Sequence, residues 1–330
     1  MSNYRIRLND VARLAGVSPA SASKALNDRP GISEATRLRV KQAARDLAFV
    51  GNPAARGLSE GRTGIVGLLT SDLEGRFSLP ILMGAEDALG ADRLSVILCD
   101  GRGDPIREQR HLETLLSRRV DGLLVVGTYN DPRPSLGDAL PVPTVYVHAP
   151  SMAETDRSVL PDNVAAGRMA AEHLLSLGKR RIAHISGQGW QRAAQDRAEG
   201  LLDTLRAQDL SLVWTTNYGE WTERWGRSAM QQLLNSDIEV DAVICDSDQI
   251  ARGAMDALIL ADISVPEDVA IMGFDNWEVV VNATDPGLTS IDMNLEALGR
   301  HAASLLFHLD ADQTPPPPRL VARGSTVLGA

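Results

Sequence analysis

Cysteine is scarce in this chain. Cys99 and Cys245 are the only two and lie far apart, which excludes a disulfide framework and a four-ligand zinc site. The six histidines, His111, His148, His173, His184, His301 and His308, are scattered without metal spacing. No G-x-x-x-x-G-K-[ST] occurs, and Gly101-Arg-Gly103 and Gly187-Gln-Gly189 lack the third glycine of a dinucleotide loop. No apolar run is long enough to span a bilayer. The start, Met1–Asp10, is polar with two arginines and does not read as a secretory signal. The expectation is a cytoplasmic protein with no membrane partner, no metal and no cofactor. What is present is an ordinary hydrophobic fraction, 44 %, which excludes disorder of the whole chain. At 330 residues it exceeds one core and predicts two or three domains.

Charge is divided unevenly. Met1–Arg62 holds 11 Lys+Arg against 5 Asp+Glu, a net of +6, and the remainder holds 22 against 38, a net of −16. A basic head on an acidic body suits a head that grips a polyanion. Composition alone fits chance clustering of solvated charge equally well.

The head has helical punctuation. Leu8, Val11, Leu14 and Ala15 form an apolar face that Gly16 ends. Ser18 is an N-cap, Pro19 suits the first helical position, and a second helix runs to about Leu26. After the polar turn Asn27–Gly31, a third helix from about Ser33 to Leu47 is expected to bury Leu38, Val40, Ala43, Ala44 and Leu47. Two short helices across a glycine turn, backed by a third, make a helix-turn-helix unit. The second helix offers Pro19, Ala20, Ser21, Ser23 and Lys24 to solvent. Small residues allow close approach to a major groove, Lys24 can donate to guanine or phosphate, and Ser18 can set the helix N-terminus against a phosphate. Spacing alone fits ordinary core packing as well.

The ordered elements DVARLAGVS, SKALN, ISEATRLRV and NPAARGL resemble the DNA-binding head of the LacI/GalR family of transcriptional regulators. The resemblance implies that Pro19 and Ala20 set operator preference and that Asn27 ends the recognition helix. Lys24 stands where the family usually has arginine, giving a point charge in place of a fork. Arg7 replaces a common capping threonine, so the first helix is expected to be capped differently, by Asn9. Asn52–Ser59, within the linker 51–62, would be a hinge helix that folds only on DNA, paired with its dimer mate. It is too short for independent stability and is further weakened by Gly57 and by Gly51 in place of a proline. Asn52 and Pro53 would start it, Ala55 would let two hinges approach, Arg56 would touch DNA, and Leu58 would wedge into the minor groove. A flexible linker is the plain alternative.

From Thr63 onward, strand-like runs alternate with amphipathic stretches. The strands are Ile65–Thr70, Ser95–Asp100, Val120–Val126 and Thr144–Val147, then Arg181–Ser186, Leu212–Thr216, Ala242–Cys245 and Val269–Gly273. Helices lie around Leu79–Ala91, Ile106–Arg119, Ala165–Leu177, Gln191–Gln208, Thr222–Leu234 and Gln249–Leu260. Near-continuous apolar strands between helices indicate covered parallel sheets. The predicted fold is therefore an all-α helix-turn-helix head (1–50) and linker (51–62), then an α/β body (63–330) of two doubly wound parallel-sheet lobes around a cleft.

Ligands in such sheets sit beyond the carboxyl ends of the strands. There stand Ser71 with Asp72, Asp246 with Asp248, Asp275 with Asn276, and then Arg197 and Trp221. Carboxylates, an arginine and an indole suit a polyhydroxylated ligand, because carboxylates accept from hydroxyls and an indole covers a sugar's C–H face. Each alone reads more readily as a solvated loop residue or helix cap.

VDGLLVV, HLLSLGKRRIAHISG, CDSDQIARGAMDAL and IMGFDN…PGLTSIDMN resemble the same family's effector-binding body, which is itself similar to periplasmic sugar-binding proteins. The resemblance implies effector contacts at Asn163, Arg197, Trp221, Asp248 and Asp275, with Phe77 near the family's first-strand aromatic. The altered loop Glu74–Pro80 leaves ligand identity more open than ligand binding. No tetramerising C-terminal heptad helix is present, so the expected assembly is a homodimer on a pseudo-palindromic double-stranded operator. The proline run Pro315–Pro318 reads as a stiff connection. A cleft carboxylate pair is compatible with glycoside hydrolysis, but that chemistry has no use for a basic helix-turn-helix head. The sequence thus predicts a repressor, not an enzyme, governed by a small-molecule effector such as a sugar. A purine-responsive regulator is the alternative of the same type, and a solute-binding module without gene control is the alternative of another class.

Overall fold

The structure is a computed structural model that describes residues 6–49, 63–72, 75–90, 94–137, 140–307 and 314–327. The chain divides into two compact units, Met1–Thr63 and Gly64–Ala330. The residues expected to form a hinge, among them Asn52, Ala55, Arg56 and Leu58, lie outside the described residues.

The first unit holds α1 (Leu8–Ala15), α2 (Pro19–Leu26) and α3 (Glu34–Asp46) around Val11, Ala12, Ala15, Ala22, Ala25, Val40 and Ala43. Gly16, at φ 65°, closes α1 in the left-handed conformation. Ser18 caps α2 by accepting the Ser21 N–H at 3.1 Å, and Ser33 caps α3 by accepting the Thr36 N–H at 3.3 Å. The start of α1 differs from expectation. Arg7, not Asn9, is the N-cap residue, and the Asp10 carboxylate accepts the Arg7 N–H at 2.9 Å, the reach-back half of a capping box. Leu14 and Leu38 are also not core residues, being 55 % and 57 % exposed. A core of alanine and valine brings the helices close, and Leu14 projects roughly 100° around α1 from the middle of its buried stripe.

In the second unit, β1 (Ile65–Thr70), β2 (Ser95–Asp100), β3 (Gly122–Val126), β4 (Thr144–Val147) and β5 (Arg157–Val159) form one parallel sheet in the order β2-β1-β3-β4-β5. The other sheet contains β6 (Ile182–Ser186), β7 (Trp214–Tyr218), β8 (Ala242–Cys245), β9 (Ala270–Phe274), β10 (Thr289–Asp292) and β11 (Arg319–Val321). Its order is β11-β10-β9-β8-β6-β7, and only β11 runs antiparallel. The helices are α4 (Ser78–Gly90), α5 (Pro105–Ser117), α6 (Asn163–Ser176), α7 (Arg192–Arg206), α8 (Glu223–Leu234), α9 (Asp248–Leu260), α10 (Glu278–Val281) and α11 (Leu295–Phe307). This is the expected pair of doubly wound lobes.

Three features depart from two simple rounds. After β10 the chain returns to the first lobe, where α11 packs on α4, β3 and β4. The proline run then leads to β11 in the second sheet, and the Pro317 carbonyl accepts the Asn294 side-chain amide at 3.1 Å. Strand β7 begins two residues later than the pattern suggests, because Leu212 packs on the core from the preceding loop. One apolar cluster, including Leu68 and Val147 of the first lobe and Met272 and Phe274 of the second, runs through both.

Candidate functional site

Two places carry chemistry. On α2, Ser18, Pro19, Ala20 and Lys24 are exposed and Ser23 is half-buried, while Ala22 and Ala25 face inward. Asn27 ends the helix by donating its side-chain N–H to the Ser23 carbonyl at 3.0 Å. The turn that follows is tied to α3, since Asp28 accepts from Lys41 Nζ at 2.8 Å and from Arg37 Nη1 at 3.0 Å. Those cations, Lys41 foremost, hold the Asp28 carboxyl below its usual range.

In the second unit a cavity of about 410 Å³ opens between the lobes at the strands' carboxyl ends. It is lined by Ser71, Asp72, Phe77, Arg197, Trp221 and Asp275 of the expected set, and also by Arg76, Thr128, Tyr129, Asn130, Asp131, His148, Gln191 and Ala193. Sequence distance gives no hint of several pairings. Asp275 follows β9 and takes φ +92°, a strained left-handed conformation for a residue with a side chain. Its carboxylate accepts from two guanidiniums: Arg76 Nη2, from the first lobe, on one oxygen, and Arg197 Nη2, at 3.3 Å, on the other. Burial alone would raise the Asp275 carboxyl, but the two arginines outweigh it and hold the group below its ordinary value.

Arg197 is held from every side. Its Nε donates to Asn163 Oδ1 at 2.9 Å, its Nη1 donates to the Asp246 carbonyl, and its guanidinium lies 4.6 Å from the Phe274 ring centre. Glycine makes the placement possible. A Cβ on Gly167 of α6 would stand 2.1 Å from the Arg197 carbonyl oxygen, and one on Gly200 of α7 would stand 2.0 Å from that of Val164. The two helices therefore meet backbone to backbone. Asn163, at the start of α6, passes the contact onward. Its Nδ2 donates to Asn130 Oδ1 at 3.1 Å, and Asn130 Nδ2 donates to the His148 carbonyl at 2.6 Å.

The first-lobe wall is equally fixed. Asp72 Oδ2 accepts the N–H groups of Phe77 and Ser78 at 2.7 and 2.9 Å, anchoring the start of α4. Phe77 stacks on His148 with centroids 4.5 Å apart. Burial pushes the His148 imidazole down to about 4, so it is neutral, and its Nδ1 lies 3.0 Å from the Gly127 carbonyl. On the opposite wall the Trp221 indole covers Gly187, where a Cβ would come within 2.1 Å of the ring, and its Nε1–H donates to Gln191 Oε1.

Two expected effector residues do not line the cavity. Asn163 is buried and acts as the link just described. Asp248 is fully buried, accepting from the Trp277 N–H at 2.7 Å and the Ser290 hydroxyl at 2.6 Å. Burial, aided by the Asp275 charge, pushes its carboxyl up to about 8. Asp246 is turned inward as well, with its carboxylate on His184 and Ser186 and all three fully buried. These are the residue types of a nucleophilic triad, but Ser186 donates to the carboxylate and not to the imidazole. The arrangement braces β6 against the end of β8 and, through His184 Nδ1 at 3.0 Å from Thr216 Oγ1, against β7, and activates no nucleophile. Asn276 accepts from Arg323 Nη2 at 2.7 Å and is likewise outside the lining.

Comparison with known proteins identifies related domains in both units. Residues 7–52 match the model for bacterial regulatory proteins of the lacI family, and residues 171–326 match a periplasmic binding protein-like domain. The chain is 35 % identical over 326 residues to the HTH-type transcriptional regulator CelR of Thermobifida fusca, covering 96 % of this chain and 95 % of that protein. This chain belongs to the lacI family of bacterial regulatory proteins. A structure of a lac repressor dimer bound to operator and an anti-inducer superposes with a TM-score of 0.76 at 25 % identity, over 98 % of this chain and 99 % of that one. A CelR–cellobiose complex superposes with a TM-score of 0.63 at 31 % identity, over 97 % and 100 %.

Within this lacI-family body, sequence reasoning missed Arg76, Tyr129, Asn130, Asp131, His148 and Gln191. The strand-end rule carried through β3 and β4 finds Thr128–Asp131 and His148. Arg76 gave no signal, since its partners Asp275 and Gln249, the latter accepting from Arg76 Nη1 at 3.0 Å, are remote in sequence.

Proposed function

We propose that this protein is a dimeric, sequence-specific transcriptional repressor whose grip on a pseudo-palindromic operator is set by a carbohydrate bound between the lobes of its second unit. The observation that carries the reading is the Asp275 carboxylate held by Arg76 and Arg197 in a cavity walled by Trp221 and Phe77. Hydroxyl pairs suit a fixed carboxylate and guanidinium, and flat rings suit the C–H faces of a sugar. The CelR relative solved with cellobiose supports the same class.

In the head, Pro19, Ala20, Ser23 and Lys24 meet base edges, Ser18 meets a phosphate and Asn27 ends the reading helix. Ala55, Arg56 and Leu58 supply the hinge contacts. The dimer is supported by large exposed apolar side chains, Leu79 and Met83 on α4, Ile259 and Leu260 on α9, and Val279 on α10. The effector acts through lobe closure. Arg76–Asp275, Asn130–Asn163 and the Asp131 carboxylate, which accepts the Arg192 N–H at 3.1 Å, all bridge the lobes. A ligand that inserts hydroxyls among them favours one closure and shifts the population competent for DNA.

The test pairs calorimetry against sugars and nucleobases with a gel shift on DNA upstream of the protein's own gene. A sugar that binds and changes operator affinity supports the reading. Tight binding of a nucleobase alone overturns the carbohydrate assignment, and no preference for any duplex overturns the regulator.

A further inference from the structure

Among the described residues, three aromatic side chains are more than a third exposed: Trp190 at 66 %, Tyr129 at 52 % and Tyr218 at 45 %. They are separated in sequence, yet each is tied to the interlobe cavity or to a residue that lines it. Tyr129 lines the cavity from the first lobe. Trp190 lies between β6 and α7, next to the cavity residue Gln191. The ring of Tyr218, the last residue of β7, lies against Gly189, where a Cβ would come within 2.9 Å of it. The Asp131 carboxylate accepts the Arg192 N–H at 3.1 Å, which ties the Tyr129 loop to the Trp190 loop.

Burial of rings is the rule, and clustering of exposed ones marks a binding surface. Here the exposed rings adjoin the interlobe cavity, and polar groups stand on the same loops. The Arg192 guanidinium is 61 % exposed, 3.5 Å from Asp196, and Asp131 Oδ2 is buried without a partner. We propose that Trp190, Tyr129 and Tyr218 form an outer subsite for a second sugar ring of the effector. The ligand is then a disaccharide or longer oligosaccharide, whose inner ring meets Asp275, Arg197 and Trp221 and whose outer ring rests on the rim. The assignment rests on the carbohydrate reading above. An aromatic side chain has few rotamers to lose when a sugar face covers it, and Arg192 and Asp131, on the same two loops, supply a donor and an acceptor for the outer hydroxyls.

Calorimetry on the full chain tests it, with glucose, galactose, xylose and ribose set against cellobiose, lactose, maltose and xylobiose. At least one disaccharide is expected to bind about 10-fold or more tighter than its component monosaccharide. Trp190→Ala removes that gain and leaves monosaccharide affinity within about twofold, and Trp190→Phe restores most of it. The melting temperature of Trp190→Ala stays that of the parent, because the ring is exposed. Equal loss for mono- and disaccharides, or no advantage of any disaccharide in the parent protein, overturns the outer subsite alone. Binding of no saccharide at all overturns this subsite and the carbohydrate reading together.

Discussion

The head and the body solve the same problem at different ranges. In the head, each helix is started by a bond spanning three positions: Arg7 to Asp10, Ser21 to Ser18 and Thr36 to Ser33. The exposed face proposed to read DNA lies on one eight-residue helix. In the body, the decisive contacts join Arg76 to Asp275, Arg197 to Asn163 and Asn163 to Asn130. A local device works wherever its short segment folds. An assembled device works only if both lobes, and the chain crossings between them, are in place. The difference predicts independent, additive behaviour in the head and strongly coupled behaviour in the body.

The largest effect is expected at Asp275. Asp275→Asn keeps the side-chain shape but leaves two buried guanidiniums without a counter-charge. Sugar affinity should fall by about 100-fold or more, and the body should lose roughly 3 kcal/mol of stability. Calorimetry and thermal melting read the two separately. DNA affinity without sugar should persist, because the head's contacts are local. Loss of both would show that the units are not independent.

Lys24→Ala is the corresponding cut in the head. Operator affinity should fall about 10-fold, and if the lost contact is to phosphate the salt slope should drop by about one, with sugar binding unchanged. A gel shift repeated across salt concentrations checks it, and unchanged affinity removes Lys24 from the interface.

Arg76→Ala sharpens the claim of coupling. Loss of the lobe-bridging ion pair should weaken sugar binding by about fivefold. Combined with Asp275→Asn, it should cost far less than the sum of the two single changes, with an interaction energy of about 1 kcal/mol or more. Additivity would show that Arg76 and Asp275 do not act as a pair.

The smallest effect concerns pH. His148, lowered by burial to about 4, binds its proton less readily than in the unfolded chain, so it adds stability as pH rises from about 4 to 6.5. Asp248, raised by burial to about 8, holds its proton more tightly and subtracts stability as pH rises from about 4 to 8. The two oppose each other below about 6.5, leaving a net fall between about 6.5 and 8. Asp248→Asn should flatten that fall by a few degrees of melting temperature, roughly. A melting series from pH 5 to 9 checks it, and an unchanged slope would remove Asp248 as its cause.

Legibility followed the same division. The three head helices and most body elements were readable from caps, glycines and strand runs. Two leucines were misplaced, because periodicity shows an apolar face without showing where neighbouring helices touch it. Of the expected effector residues, Ser71, Asp72, Phe77, Arg197, Trp221 and Asp275 line the cavity, and the strand-end rule or the family resemblance points to each of them. Asp248 and Asn163 do not line the cavity, because their side chains are engaged with Ser290, Trp277, Asn130 and Arg197. Motif position alone does not reveal which way a side chain turns.

The sequence by itself determined the helix-turn-helix order, the alternation of strands and helices and the split of charge between head and body, since propensity, capping and patterning act between near neighbours. Only the three-dimensional packing brings Arg76 to Asp275 and keeps Asp248 buried with a raised pKa. Those outcomes depend on how two sheets and their crossovers stack, and packing at long range is not encoded in any single segment.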